Sequence, residues 1–250
     1  MSLKIMTFQY TVIILAGGLG TRLQPVVSDV PKPMAPINSR PFMEYLLEYL
    51  QFSGCKRVVF SIGFKASILK NHFGQFWGGI EIEYCQEEIP LGTGGAMVKA
   101  LKQTRDSELF LVLNGDTFFP IAIKNMSDQH KRLGSDMTIA LFDNRGADRY
   151  SAFDIKNSHE LVMSKNSKSS LRSGGVYLLS DRLAASIKAI ETVPLSFEED
   201  LTPKLIKKFA VSGYVEDAPF IDIGVPEDYR FAQNYVPDFL TQFKEKNIGV

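Results

Sequence analysis

From Thr11 to about Asp143, short apolar runs alternate with amphipathic stretches. The runs TVIILAG, RVVFSIGF, IEIEYCQ, LFLVLNGD and MTIALFD are rich in β-branched and apolar residues and have the length of strands. Between them, PFMEYLLEYLQFSG and KASILKNHFG carry apolar residues at helical spacing and end on Gly54 and Gly74, which suit helix C-caps. GGAMVKALKQT and the more polar NMSDQHKRLG supply two further helices. Alternation of this kind predicts an α/β fold, Rossmann-like, with three α/β/α layers around a mainly parallel central sheet.

After Asn144 the rhythm shortens. YSAFDIK, ELVMSK and LRSGGVYLLS read as strands separated by polar turns, a small antiparallel excursion. Helical pattern returns in DRLAASIKAIE, in FEEDLTPKLIKKF with Pro203 near an end or bend, and after Pro226 in EDYRFAQNYV. No repeat, low-complexity tract or linker interrupts the chain. One domain over 1–250 is expected, with about 10–143 forming one half and about 144–235 the other.

Composition narrows the function. With 250 residues, 45% of them hydrophobic, a sizeable core is available. Lys+Arg and Asp+Glu both number 28, so no basic excess exists to hold a polyanion, and no nucleic-acid partner is indicated. Any anion must be gripped locally, by a few side chains and backbone N–H groups. Cys55 and Cys85 lack the spacing of a zinc or redox motif and are expected as buried free thiols. No apolar run spans a bilayer and no signal-like leader is evident, so the expectation is no membrane and a cytoplasmic location. His72, His130 and His159 have no metal-site spacing and read as surface or packing residues. Phe73, Phe76 and Trp77 read as core or interface.

The candidate chemistry begins in LAGGLGTRLQP, where a strand runs into Gly17, Gly18 and Gly20, followed by Thr21 and Arg22. Glycines allow close approach and positive φ, so successive N–H groups can converge on phosphate oxygens, and Arg22 adds a charged fork. By itself, the cluster reads first as a tight turn after a strand, and only second as a phosphate cradle. A dinucleotide fingerprint fails because its third glycine position holds Leu23, and no Gly-Lys-Ser/Thr follows for a P-loop. Instead SDVPKPMAP follows, where Pro31 and Pro33 hold Lys32 on an extended backbone as a second cation. Further on, LFLVLNGD delivers Asp116 at the C-terminal end of a strand, where open α/β sheets bind ligands. A carboxylate there suits Mg²⁺ or caps the next turn.

These segments together resemble the sugar-1-phosphate nucleotidylyltransferases, whose signature is a G-x-G-T-R-L stretch followed by K-P-M or K-P-L. Here it reads Gly18 to Leu23, then Lys32-Pro33-Met34. Similarity continues through ELFLVLNGDT, LRSGGVYLLS and FIDIGVPEDY, from about Tyr10 to Asn234. Details such as VVSDVPKPMAP, EIPLGTGGAM and LSFEED are similar to the guanylyltransferases that make GDP-D-glycero-α-D-manno-heptose for bacterial surface polysaccharides.

The resemblance implies a nucleotidyltransferase fold and a cytoplasmic enzyme that joins a nucleoside triphosphate, GTP in the leading case, to a heptose or mannose 1-phosphate with Mg²⁺. It implies Arg22, Lys32 and Asp116 in catalysis and Asp116 with Asp222 on the metal. For the nucleotide it implies Leu15, Ala16, Gly17, Gly18, Gly20, Thr21 and Gly115, with Gln86 reading the base beside the PLGTGGA loop at Pro90, Gly92 and Thr93. Locally, that loop is equally an ordinary lead-in to a helix. For the sugar phosphate the resemblance implies Lys165, Gly175 and Glu198, with Lys168 competing for the role of Lys165; either lysine also reads as a solvated turn charge. Here Arg149-Tyr150-Ser151 departs from the usual Arg-Tyr-Gly, and Ser164-Lys165 from Glu-Lys. Two other readings stand beside this one: a non-catalytic relative of the same fold, and the same reaction with another base and hexose. Homo-oligomerisation is left open.

Overall fold

The computed structural model describes residues 10–18, 29–143, 150–156, 159–164 and 170–248. Strand β1 (Tyr10–Ala16) comes first. A 3-10 turn at Lys32–Met34 and a hairpin of β2 (Pro36–Ile37) and β3 (Arg40–Pro41) lead into α1 (Phe42–Phe52). There follow β4 (Arg57–Ile62), α2 (Ala66–Phe73), β5 (Phe76–Trp77), β6 (Ile80–Gln86), α3 (Gly92–Gln103), β7 (Leu109–Asn114), β8 (Thr117–Phe118), α4 (Ile123–Leu133) and β9 (Met137–Asp143). The remainder is β10 (Ala152–Lys156), β11 (Glu160–Met163), β12 (Leu171–Ser180), α5 (Asp181–Lys188), a π-helical turn Phe197–Leu201 running into α6 (Thr202–Leu205), β13 (Val211–Val215), β14 (Ile221–Asp222) and α7 (Pro226–Ile248).

Among the described residues, ten strands form one mixed sheet in the order β10-β11-β13-β9-β12-β7-β1-β4-β6-β5, with β10 also pairing β12. Strands β6, β4, β1 and β7 are parallel, as are β9 and β13, while β12 runs antiparallel to both β7 and β9. The start of LRSGGVYLLS joins the antiparallel excursion as expected, since Leu171 and Arg172 of β12 pair with Phe153 and Ala152 of β10, which also forms a hairpin with β11. The rest of β12 does more than was expected: it is the strand that joins the two halves. Buried β strands read as unbroken apolar runs because both faces are covered. Val12 and Ile14 of β1 pack with α1, α2, α4 and α7, whereas Ile13 packs with α3, α5 and α6 on the opposite face.

Helix α7 runs well past the expected EDYRFAQNYV and through Pro237. A proline in a helix interior strips the carbonyl four residues earlier of its donor. Here that carbonyl belongs to Gln233, and the side-chain Nδ2 of Asn38 donates to it at 2.8 Å. Asn38 and Ser39 are the two positive-φ residues of the tight β2–β3 turn, a conformation Asn tolerates well. The same contact therefore repairs α7 and anchors the hairpin that follows Lys32.

Cys55 and Cys85 are buried free thiols, and burial pushes their pKa values up to about 12 and about 11. His130 is buried, its Nδ1 is 2.8 Å from Thr138 Oγ1, and burial lowers its pKa to about 4, which keeps it a neutral packing residue. Phe73 lies in the core, while Phe76 on the edge strand is 70% exposed. Among the described residues, no helix is long and apolar enough to cross a membrane.

Candidate active site

The C-terminal ends of β6, β1 and β7 open onto a cleft of about 560 Å³, which continues past β12 to the π-helical turn. Leu15, Ala16, Gly17 and Gly18 from the end of β1 line its floor, with Asn114, Gly115, Asp116 and Thr117 beside them. Gly115 donates its N–H to Leu15 O at 2.8 Å, and a methyl group there would press against that same oxygen. Close packing of the two strand ends thus requires glycine at this point.

At the middle of the cleft, Lys32 Nζ donates to Asp116 Oδ2 at 2.9 Å, with the lysine side chain only 9% exposed and the aspartate 35%. Lys32 does not lie on the extended backbone expected for it. The fixed φ of proline suits a first helical turn as well as extended chain, and Pro31 and Pro33 frame a 3-10 turn that presents Lys32, closed by Met34 N–H on Pro31 O at 2.8 Å and Ala35 N–H on Lys32 O at 2.9 Å. The short β8–β14 pair sets Asp222 opposite Thr117, the residue after Asp116, and Ile223 N–H donates to Asp116 O at 3.1 Å. This pairing brings together two carboxylates that are more than a hundred residues apart in sequence. Asp222 is buried and fixed by Gly224 N–H at 2.8 Å and the Tyr150 hydroxyl at 3.3 Å. A methyl group on Gly224 would lie 2.1 Å from Lys32 Nζ and 2.8 Å from Asp222 Oδ1, so glycine keeps room for the ammonium.

At the β6 end, the structure corrects the expectation for Gln86. Its Oε1 accepts from Lys70 Nζ of α2 at 2.7 Å, and it does not line the cleft. Successive strand residues point to opposite faces. Cys85 packs on the α3 side, so Gln86 turns to the α2 side and Glu87 returns to the α3 side, into the cleft. Glu87 is buried; Oε1 accepts from Ser61 Oγ at 3.1 Å and Oε2 from Leu91 N–H at 3.0 Å. Each carboxylate oxygen retains a lone pair. A methyl group on Gly17 would stand 2.3 Å from Glu87 Oε1. Pro90, Gly92, Thr93 and Ala96 complete this end.

At the β12 end, Gly175 adopts φ +68 where the pairing of β12 with β9 shifts register between Ser173 and Tyr177. That bulge turns Ser173 and Gly175 toward the cleft. Glu198 faces them from the π-helical turn, accepting from the Tyr177 hydroxyl at 2.6 Å and from Ser151 Oγ at 3.3 Å. Burial, and then the charge of Glu198, raises the Tyr177 pKa well above its ordinary value, so its hydroxyl remains a donor.

Residues 11–238 match the nucleotidyl transferase family. The chain belongs to this family. This nucleotidyl transferase is 38% identical over 233 residues to the D-glycero-alpha-D-manno-heptose 1-phosphate guanylyltransferase of Aneurinibacillus thermoaerophilus, an overlap of 91% of this chain and 99% of the relative. It is 41% identical over 221 residues to the enzyme of the same description from Campylobacter jejuni, covering 87% of this chain and 96% of that one. In structure it is similar to HddC from Yersinia pseudotuberculosis complexed with GMP-PN, with a TM-score of 0.75, 36% identity and coverage of 90% and 98% of the two chains.

In this nucleotidyl transferase the cleft unites most of the residues singled out in the sequence: Leu15, Ala16, Gly17, Gly18, Lys32, Pro90, Gly92, Thr93, Gly115, Asp116, Gly175, Glu198 and Asp222. Gly20, Thr21, Arg22, Lys165 and Lys168 lie outside the described residues. Glu87, Asn114, Tyr150, Ser173 and Phe220 line the cleft without having been singled out for it. For Glu87 the signal was present, since the alternation that buries Cys85 on one face returns to that face two residues later.

Proposed function

We propose that this nucleotidyl transferase joins GMP from GTP to a sugar 1-phosphate, D-glycero-α-D-manno-heptose 1-phosphate or mannose 1-phosphate. Pyrophosphate and a GDP-sugar for surface polysaccharide are the products, formed in the cytoplasm. The observation that carries this reading is what one cleft brings together: the buried carboxylate of Glu87 after β6, Lys32 with Asp116 and Asp222, and the carboxylate of Glu198 on the π-helical turn. Both relatives described above are guanylyltransferases of a heptose 1-phosphate, and the solved relative holds GMP-PN.

Glu87 reads the base. Guanine presents two adjacent donors, N1–H and the 2-amino group, which a carboxylate meets with its two oxygens. Adenine and cytosine set a ring acceptor beside their amino donor, and uracil offers a single donor between two carbonyls. A buried carboxylate facing any of these leaves an acceptor against an acceptor, which costs more than a lost bond.

The incoming sugar 1-phosphate is already anionic, so its attack on the α-phosphorus needs no general base. The protein must align two anions and neutralise them. Lys32, held by Asp116 and given room by Gly224, supplies one positive charge at the centre. Arg22 supplies a second, on the triphosphate, by the resemblance of the Gly-x-Gly-Thr-Arg segment. Asp116 and Asp222 offer oxygens only, and among the described residues no group of three or more His, Cys, Asp or Glu side chains is arranged for a metal. Such a pair fits Mg²⁺, which is ordinarily held by one or two carboxylates together with substrate phosphates. When bound, the ion would neutralise phosphate charge and make the α-phosphorus more electrophilic. At the far end Glu198 accepts from sugar hydroxyls, its rotamer fixed by Tyr177 and Ser151.

A pyrophosphate-release assay crossing GTP, ATP, CTP, UTP and dTTP with several sugar 1-phosphates, with and without Mg²⁺, tests this function. Release is expected with GTP and a manno-configured sugar in the presence of Mg²⁺; silence across the whole matrix refutes an enzymatic role.

A further inference from the structure

The glycines between β6 and α3 are fitted to a protein neighbour. Residues 193–197 lie against the first turn of α3. Leu195 N–H donates to Leu91 O at 2.9 Å, and Leu195 O accepts from Gly94 N–H at 2.9 Å and Gly95 N–H at 3.3 Å. A methyl group on Gly92, Gly94 or Gly95 would meet Leu195 O at 2.6 Å, Leu195 Cδ1 at 2.0 Å or Val193 O at 2.4 Å. Two of the amides that a helix N-terminus can offer an anion are therefore already engaged. One side chain completes the strap: Thr93 Oγ1 accepts from Phe197 N–H at 2.9 Å. The next residue is Glu198.

We propose that Thr93 is a positioning residue for the sugar 1-phosphate, acting through Glu198, even though it sits on the loop beside the base. The inference rests on the guanylyltransferase reading above. The Glu198 turn is anchored by the buried Phe197 ring against Tyr177, and its register with the cleft is set by Tyr177 and Ser151 on its carboxylate and by Thr93 on the backbone just before it. Loss of the Thr93 acceptor leaves the part-buried Phe197 amide unpaired and lets the start of the π-helical turn swing, carrying Glu198 away from the sugar. Leu91 adds a physical continuity, since its N–H is bound by Glu87 and its carbonyl by Leu195. Base end and sugar end thus share one strap.

Steady-state kinetics on Thr93→Val, which keeps the side-chain shape and removes the acceptor, separate the two roles. The KM for the sugar 1-phosphate is expected to rise about tenfold, the equivalent of one lost hydrogen bond, with the KM for GTP within about twofold of wild type. Thr93→Ser, which keeps the acceptor, should restore the sugar 1-phosphate KM. An unchanged sugar KM, or a GTP KM that rises as much as the sugar KM, overturns the inference and leaves Thr93 as an inert or nucleotide-contacting residue. A thermal melt accompanies the kinetics, and Thr93→Ala carries the same test if the valine variant melts early. Wild-type protein that turns over no pair of substrates overturns the functional reading itself, an outcome distinct from an active wild type with an unaltered valine variant.

Discussion

Each end of the cleft presents one carboxylate, Glu87 near β6 and Glu198 near β12, and the two are held by different means. Glu87 follows directly on a strand. Its backbone N–H binds Ile62 O at 2.7 Å, its carboxylate binds Ser61 and Leu91, and all its partners lie within thirty residues of one another in the parallel half of the sheet. Glu198 sits on a π-helical turn and depends on Tyr177 of β12, Ser151 and the Thr93 strap, which come from three separate stretches of chain. The base end is thus built from the regularity of the sheet, and the sugar end from long-range contacts. A change at the first end should act through one residue; a change at the second can act through several that never touch substrate.

Substitution can break this division at its centre or sharpen it at either end. The largest effect is expected from Asp116→Ala or Asp222→Ala, proposed above to hold the metal shared by both substrates: kcat should fall roughly 10³-fold or more with the fold intact by circular dichroism. Near-normal turnover would remove them from the site. At the base end, Glu87→Gln should cut kcat/KM for GTP about 10²-fold and erase the preference for GTP over ITP, which lacks the 2-amino group, while the sugar KM holds. A uniform loss with GTP and ITP would mark Glu87 as structural. Between the ends, the methyl group of Gly224→Ala meets the tip of Lys32 first and then Asp222 Oδ1, so it should lower kcat roughly tenfold by displacing the ammonium. Unchanged kcat would show that the Lys32 position is not critical. The smallest effect belongs to the sugar end: Tyr177→Phe should raise the sugar 1-phosphate KM about fivefold and leave the GTP KM alone. An effect on GTP would contradict the division between the two ends.

The same contrast explains what was legible in the sequence. Strands β1, β4 and β7 announce themselves because burial on both faces gives apolar runs, β6 by its β-branched and aromatic content, and helices α1 to α4 by apolar residues at helical spacing, with glycines following α1, α2 and α4. Lys32 was legible because two prolines leave its backbone little freedom, and Asp116 because it ends a buried strand. Other features depended on distant chain. The central place of β12 is decided by pairing with β7 and β9, which its own residues do not specify. Pro237 reads as a helix stop, yet Asn38, about two hundred residues earlier, supplies the missing donor. Glycines 92, 94 and 95 read as a flexible loop, whereas they accommodate residues 193–197. Gln86 was chosen for its position beside the loop, and the two-residue period of β6 turns it to the wrong face.

Selection of guanine and a sugar 1-phosphate together by this cleft is tested most directly by a competition reaction. Protein, Mg²⁺ and one sugar 1-phosphate, heptose or mannose, are incubated with equal amounts of GTP, ATP, CTP, UTP and dTTP, and the nucleotide sugars are identified by mass. A GDP-sugar should dominate, with pyrophosphate in equal amount; predominance of any other nucleotide sugar, or the formation of none with either sugar, would contradict the claim.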